Sequence, residues 1–175
     1  MARTDEVFLS PGEFHFAGGG TRIRTVLGSC VAITLWHPRL RVGGMCHYLL
    51  AHRAAPPADH PELSGRYADE AVQLFLAELR RNGTRPTDYQ AKIFGGGDQF
   101  PGRKRGPAPH VPQDNIEIGL LLLREHGFQI AAEHLGGTGS RQLVFDLGTG
   151  DVWLQHTEHR GQRDQPHRRA ARSWS

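Results

Sequence analysis

Apolar residues along the chain follow two rhythms, short runs or alternations in several segments and a three-to-four spacing in two others. Val31-Ala32-Ile33-Thr34-Leu35-Trp36 is a run of the first kind, ended by His37-Pro38, and predicts a mostly buried strand. Residues 43–50 predict its partner, and the short Pro38-Arg39-Leu40-Arg41 link predicts an antiparallel hairpin. Residues 23–25 predict a short strand leading to a turn at Gly28-Ser29. From Tyr67 the positions Ala68, Ala71, Val72, Phe75, Leu76 and Leu79 recur at helical spacing until Gly83, with Ser64 the expected N-cap. A second helix is predicted over 115–126, with Ile116, Leu120 and Leu123 on one face and Gly127 as its stop. Further strands are predicted over 90–94, 128–133, 142–146 and 152–155. Hairpin strands with two separated helices predict the α/β class, as a single compact sandwich of mostly antiparallel strands with two main helices.

Composition narrows this picture. With 175 residues, 38% of them hydrophobic and 22 more glycine, the chain has the make-up of one folded domain rather than a disordered one. No apolar stretch approaches the roughly 20 residues that a membrane-spanning helix needs. The first residues are charged with both signs and lack the apolar core of a secretory signal, so a cytoplasmic location is expected. Two cysteines are too few for a disulfide framework. The net charge of +3 is concentrated in residues 157–175, where five arginines face only Glu158 and Asp164. The expected organisation is therefore one domain over 1–156 and a basic, disordered tail over 157–175. A neutral body with a basic tail argues against a nucleic-acid-binding face. Residues 100–112, with four prolines, two glycines and three basic residues, predict an exposed, mobile loop.

Within this frame a few residues carry chemistry. In Leu27-Gly28-Ser29-Cys30-Val31 a cysteine follows a glycine-containing turn at the mouth of a strand, where the backbone N–H groups of Ser29 and Cys30 can converge on an oxyanion. A thiol needs a nearby base to attack a carbonyl at neutral pH, and His47 in the adjacent predicted strand is the candidate. Spacing alone leaves a second reading open, in which Cys30 is an inert core thiol. Cys46 points away from His47 in a strand and reads as a small apolar residue. Cys30, Cys46, His47, His52 and His60 do not have the paired spacing of a zinc site, so no metal and no cofactor is expected. The glycine clusters 18–20, 95–97 and 136–139 lack the Lys-Ser/Thr ending of a phosphate loop and read as turns.

Several pieces in fixed order resemble the chemoreceptor glutamine deamidase family, CheD, of bacterial chemotaxis. They are Thr25-Val-Leu-Gly-Ser-Cys30-Val, Gly44-Met-Cys-His47-Tyr-Leu-Leu, Tyr67-Ala-Asp, Ala91-Lys-Ile-Phe-Gly95-Gly96, Gln113-Asp-Asn115, and Gly136-Gly137 followed by Arg141, Phe145 and Thr149-Gly150. The resemblance spans about Val7 to Leu154. It implies a compact α/β sandwich related to toxin-type deamidases and hydrolysis of receptor glutamine side chains to glutamate, an amidohydrolase of the protein-glutamine glutaminase type that tunes adaptation. It also implies Cys30 as nucleophile, His47 as general base and acid, and Thr25 as the residue that orients the imidazole. The implied partners are the chemoreceptor cytoplasmic domain and a CheC-type phosphatase. The alternative is a non-catalytic adaptor of the same fold that binds receptors or CheC. Residues 100–112 and the arginine tail look individual to this chain.

Overall fold

The structure is a computed structural model that describes residues 3–55, 62–104 and 106–159. Among them, nine strands and two α-helices follow in the order β1 (Asp5–Phe8), β2 (Phe14–Gly18), β3 (Thr21–Leu27), β4 (Val31–His37), β5 (Val42–Tyr48), α1 (Ala68–Arg81), β6 (Gln90–Gly95), α2 (Val111–Glu125), β7 (Gln129–Leu135), β8 (Ser140–Asp146) and β9 (Val152–Thr157). They form a four-stranded sheet, β1-β3-β8-β9, and a five-stranded sheet, β2-β5-β4-β6-β7. The expected α/β sandwich is what is found. Pairing is mostly antiparallel, with β1 beside β3 and β6 beside β7 parallel.

The middle layer explains the sequence pattern. Side chains alternate along a strand. Val31, Ile33 and Leu35 of β4 join Phe75, Leu79 and Leu123 in a core between the five-stranded sheet and the helices. Ala32 and Trp36 of the same strand meet Ile23, Leu143 and Phe145 in a second core between the two sheets. Covered on both faces, β4 reads as an unbroken apolar run rather than an alternation. Each fully buried large side chain in these cores contributes roughly 1.5–3 kcal/mol. Helix α2 approaches the sheet so closely at Gly119 that a Cβ there would lie 2.3 Å from the Tyr48 hydroxyl oxygen.

Three local expectations change. Ser64 does not cap α1: the N-cap is Tyr67, and the Ser64 N–H instead donates to a Glu70 carboxylate oxygen at 2.6 Å. Helix α2 begins at Val111, a turn ahead of the predicted start, because Pro112 sits in its first turn, where a missing N–H leaves no bond unmade. Strands β1 and β2 were not anticipated. β1 is exposed at most positions and owes its conformation to pairing with β3, while β2 closes the free edge of β5 and lays Phe14 edge-on against Phe75, ring centres 4.8 Å apart. Of the loop expected over 100–112, residues 100–104 and 106–109 are mostly exposed, whereas Val111 and Pro112 belong to α2. The basic tail from Arg160 onward and His60 lie outside the described residues. Among the described residues no helix is long and apolar enough to cross a membrane.

Candidate active site

The turn that presents Cys30 is built by glycines. Gly95 at the end of β6 has φ +118°, and a Cβ there would lie 2.2 Å from the Cys30 carbonyl oxygen, so only glycine lets the two segments close up. The Gly96 N–H donates to the Cys30 carbonyl at 2.9 Å and the Gly97 N–H to the Gly28 carbonyl at 3.0 Å. With those carbonyls held by the glycine loop, the Ser29 hydroxyl and Cys30's own amide are within hydrogen-bonding reach of the sulfur. The thiol is partly exposed.

His47 stands opposite Ala32 in the β4–β5 hairpin. Cys30 lies two residues before Ala32 and packs against the core between the sheets, so thiol and imidazole share one side of the five-stranded sheet, a diagonal step apart. Cys46 and Tyr48 face the helices instead. Thr25 comes from the other sheet, where β3 pairs with β8. Its Oγ1 is 2.8 Å from His47 Nδ1 and donates to the Leu9 carbonyl at 2.7 Å. A hydroxyl has one proton, and a carbonyl can only accept. Since that proton goes to Leu9, Oγ1 must accept from Nδ1–H, which leaves the lone pair of the neutral imidazole on Nε2. The Leu9 carbonyl thus sets the tautomer. Being backbone, it has no signature in the sequence.

Electrostatics keep both groups neutral at rest. Burial lowers the His47 pKa from 6.5 to about 4, against an opposing pull from the Glu13 carboxylate. Burial likewise raises the Cys30 thiol above its ordinary value, with Ser29 and the Cys30 amide opposing. Such a pair does not hold a standing thiolate–imidazolium; it can pass a proton from sulfur to nitrogen as the sulfur attacks. Cys46, fully buried, is pushed up to about 12. The imagined zinc ligands are scattered: Cys46 and His47 face opposite ways and His52 sits 3.3 Å from Asp69. Among the described residues no three His, Cys, Asp or Glu side chains gather as a metal site.

Asn115, which the sequence offers only within a motif, belongs to the site. At the start of the second turn of α2 and 1% exposed, it donates from Nδ2 to the Leu49 carbonyl at 2.8 Å and the Ser29 carbonyl at 3.4 Å. Its backbone carbonyl accepts the Tyr48 hydroxyl. A single carboxamide therefore ties the residue ahead of Cys30 to the segment just past His47. The signal was available, because Asn115 shares a helical face with buried Gly119 and Leu123, and a polar residue there needs a partner. Arg141, also 1% exposed, donates to His134 Nδ1 at 2.8 Å and to the Gly136 carbonyl, bracing the glycine loops behind the turn.

Comparison with known proteins fits this arrangement. A family model described as "CheD chemotactic sensory transduction" matches residues 49–156, a segment that starts after His47 and so does not depend on the dyad. A protein of Dechloromonas aromatica named "Probable chemoreceptor glutamine deamidase CheD 3" is 51% identical over 149 residues, 85% of this chain and 86% of the relative. One of Albidiferax ferrireducens, "Probable chemoreceptor glutamine deamidase CheD 2", is 52% identical over 148 residues, 85% of each. One of Pseudomonas savastanoi pv. phaseolicola with the name "Probable chemoreceptor glutamine deamidase CheD" is 46% identical over 152 residues, 86% of this chain and 84% of the relative. The fold is an α/β sandwich with a buried imidazole held between its sheets. By sequence the chain belongs to the CheD family.

Proposed function

We propose that this protein hydrolyses glutamine side chains of chemoreceptors to glutamate through a Cys30–His47 dyad oriented by Thr25. The observation that carries the reading is the Leu9–Thr25–His47 chain of hydrogen bonds, which leaves Nε2 as the basic nitrogen of an imidazole on the same side of the sheet as Cys30. The names of the relatives supply the substrate class.

In this mechanism the Cys30 sulfur attacks the carboxamide carbon while its proton passes to His47 Nε2. The N–H groups of Ser29 and Cys30 stabilise the oxyanion. Collapse of the tetrahedral species breaks the C–N bond, and the imidazolium delivers its proton to the departing ammonia, leaving a thioester. His47 then takes a proton from water, the resulting hydroxide attacks the thioester carbon, and the C–S bond breaks to return the thiol and a glutamate carboxylate. Each turnover adds one negative charge to the receptor, the change through which adaptation is tuned. The same reading has the domain over 1–156 sufficient for catalysis, a cytoplasmic setting, no nucleic-acid partner and a CheC-type phosphatase as regulator.

The test is intact-mass analysis of a chemoreceptor cytoplasmic fragment incubated with the protein. The expected result is a time-dependent gain at glutamine positions that Cys30→Ala abolishes. An unchanged fragment, or an equal gain with Cys30→Ala, overturns the proposal.

A further inference from the structure

A groove of about 490 Å³ opens beside Ser29, the residue that leads into Cys30. One wall is formed by residues 98–104 and 106–110 and the other by the start of α2, with Phe100, Arg103, Lys104, His110 and Pro112 in the lining. Phe100 is 66% exposed, an unusual setting for a phenyl ring, and the Arg103 guanidinium lies over it at 5.4 Å. Among the described residues no carboxylate forms an ion pair with Arg103 or Lys104. Asp98, an acid in the groove's lining, uses an oxygen to accept the Phe100 backbone N–H at 2.8 Å. Helix α2 starts without a side-chain cap, and Asp114 in its first turn offsets the positive end of its dipole, so the cationic character of the groove comes from Arg103 and Lys104.

We propose that this groove docks the stretch of substrate polypeptide next to the target glutamine, and that it selects a segment bearing an aliphatic residue and at least one carboxylate. The inference rests on the glutamine-deamidase reading above and adds the substrate's local chemistry to it. The apolar part follows from Phe100, which gains burial when an aliphatic side chain covers it. The acidic part follows from Arg103 and Lys104, with which no carboxylate pairs among the described residues and which outnumber Asp98 in the groove's lining. Adjacency to Ser29 makes the groove continuous with the site, so a peptide held there delivers its neighbouring glutamine to Cys30.

The experiment pairs two peptides of identical length and aliphatic content, with the central glutamine flanked by glutamates in one and by lysines in the other. Deamidation is followed by mass with the full-length protein, and binding by fluorescence anisotropy with Cys30→Ala. The acidic peptide is expected to be preferred about tenfold in kcat/KM, through KM, and to bind correspondingly tighter. Arg103→Glu/Lys104→Glu is expected to reverse the preference, and Phe100→Ala to raise KM for both peptides, each with an unchanged melting temperature. Equal treatment of the peptides by the unmodified protein overturns the inference while leaving the deamidase reading standing. Tight, acid-selective binding with no deamidation of either peptide sinks the deamidase reading and leaves the groove's selectivity intact. A double variant that lowers kcat equally for both peptides, with KM unmoved, also counts against the groove.

Discussion

Cys30 and Cys46 belong to the same sheet region and face opposite ways, and their surroundings differ in kind. Cys46 points into the helix layer among Phe75, Leu79 and Tyr48, is fully buried, and has its thiol pushed up to about 12. Cys30 points between the sheets beside an open groove, with a hydroxyl and an amide at its sulfur. Residue type does not separate them. The side of the strand does, because one side leads to a closed apolar core and the other to a seam where Thr25 brings a polar group across from the second sheet.

The sharpest way to break this comparison is to remove each sulfur in turn. Cys30→Ala is expected to lower deamidation at least about 10³-fold while leaving the melting temperature nearly unchanged. Cys46→Ala is expected to retain activity and to lose about 1–2 kcal/mol of stability in urea titrations. Iodoacetamide with peptide mapping should label Cys30 in the native protein well before Cys46; the reverse order with activity intact would reject the assignment.

The next effect concerns stability and pH. Because folding lowers the His47 pKa from 6.5 to about 4, the unfolded chain takes up the proton first. This stabilisation is complete above about pH 6.5 and is lost as pH falls towards 4, a change of about 3 kcal/mol. Urea titrations of the protein and of His47→Gln over that range should diverge in slope by this amount, and parallel curves would contradict the buried neutral imidazole. The acid limb of kcat/KM should likewise fall near pH 4–5 rather than near the 6.5 of a free histidine.

Thr25→Val keeps the shape of the side chain and removes the oxygen between the Leu9 carbonyl and His47 Nδ1. It should lower kcat about 10²-fold by freeing the tautomer, and cost about 1–3 kcal/mol for the polar groups left unpaired. A kcat within twofold of the parent protein would remove Thr25 from the machinery. The smallest expected effect is at Asn115. Asn115→Asp places a carboxylate against the Leu49 and Ser29 carbonyls, so activity at pH 7 should drop about tenfold with KM unchanged. Lowering the pH should restore the ratio to the parent protein, since a protonated Asp can donate where Asn115 does. A pH-independent ratio would make Asn115 a packing residue only.

Much of the architecture is legible in the sequence. The β4–β5 hairpin, α1 and the order of the later strands follow from apolar rhythm and turn chemistry, because those elements bury faces that the rhythm writes out. Strand β1 was not legible: at four residues, two of them charged, it is short, mostly exposed and strand-like because β3 offers an edge. The early start of α2 was hidden by a proline that is harmless in a first turn. For the candidate site, Cys30 and His47 could be named from their places in adjacent strands, and Thr25 from a family resemblance. The role of Asn115 and the Leu9 carbonyl could not, since each acts on segments far away in sequence.

What the chain dictates unaided is the set of local preferences: which segments are strands or helices, that Cys46 and His47 must diverge, and that an exposed basic loop follows the Gly95 cluster. These depend on side-chain period and backbone freedom, which neighbouring residues set. Only the packed sandwich decides that Thr25 of one sheet meets His47 of the other, that the imidazole is dry enough to stay neutral, and that the Ser29 turn opens onto the groove beneath Phe100. Those are distances across layers, fixed by the way two sheets and a helix share their buried surfaces, and no stretch of sequence contains both sides of such a contact.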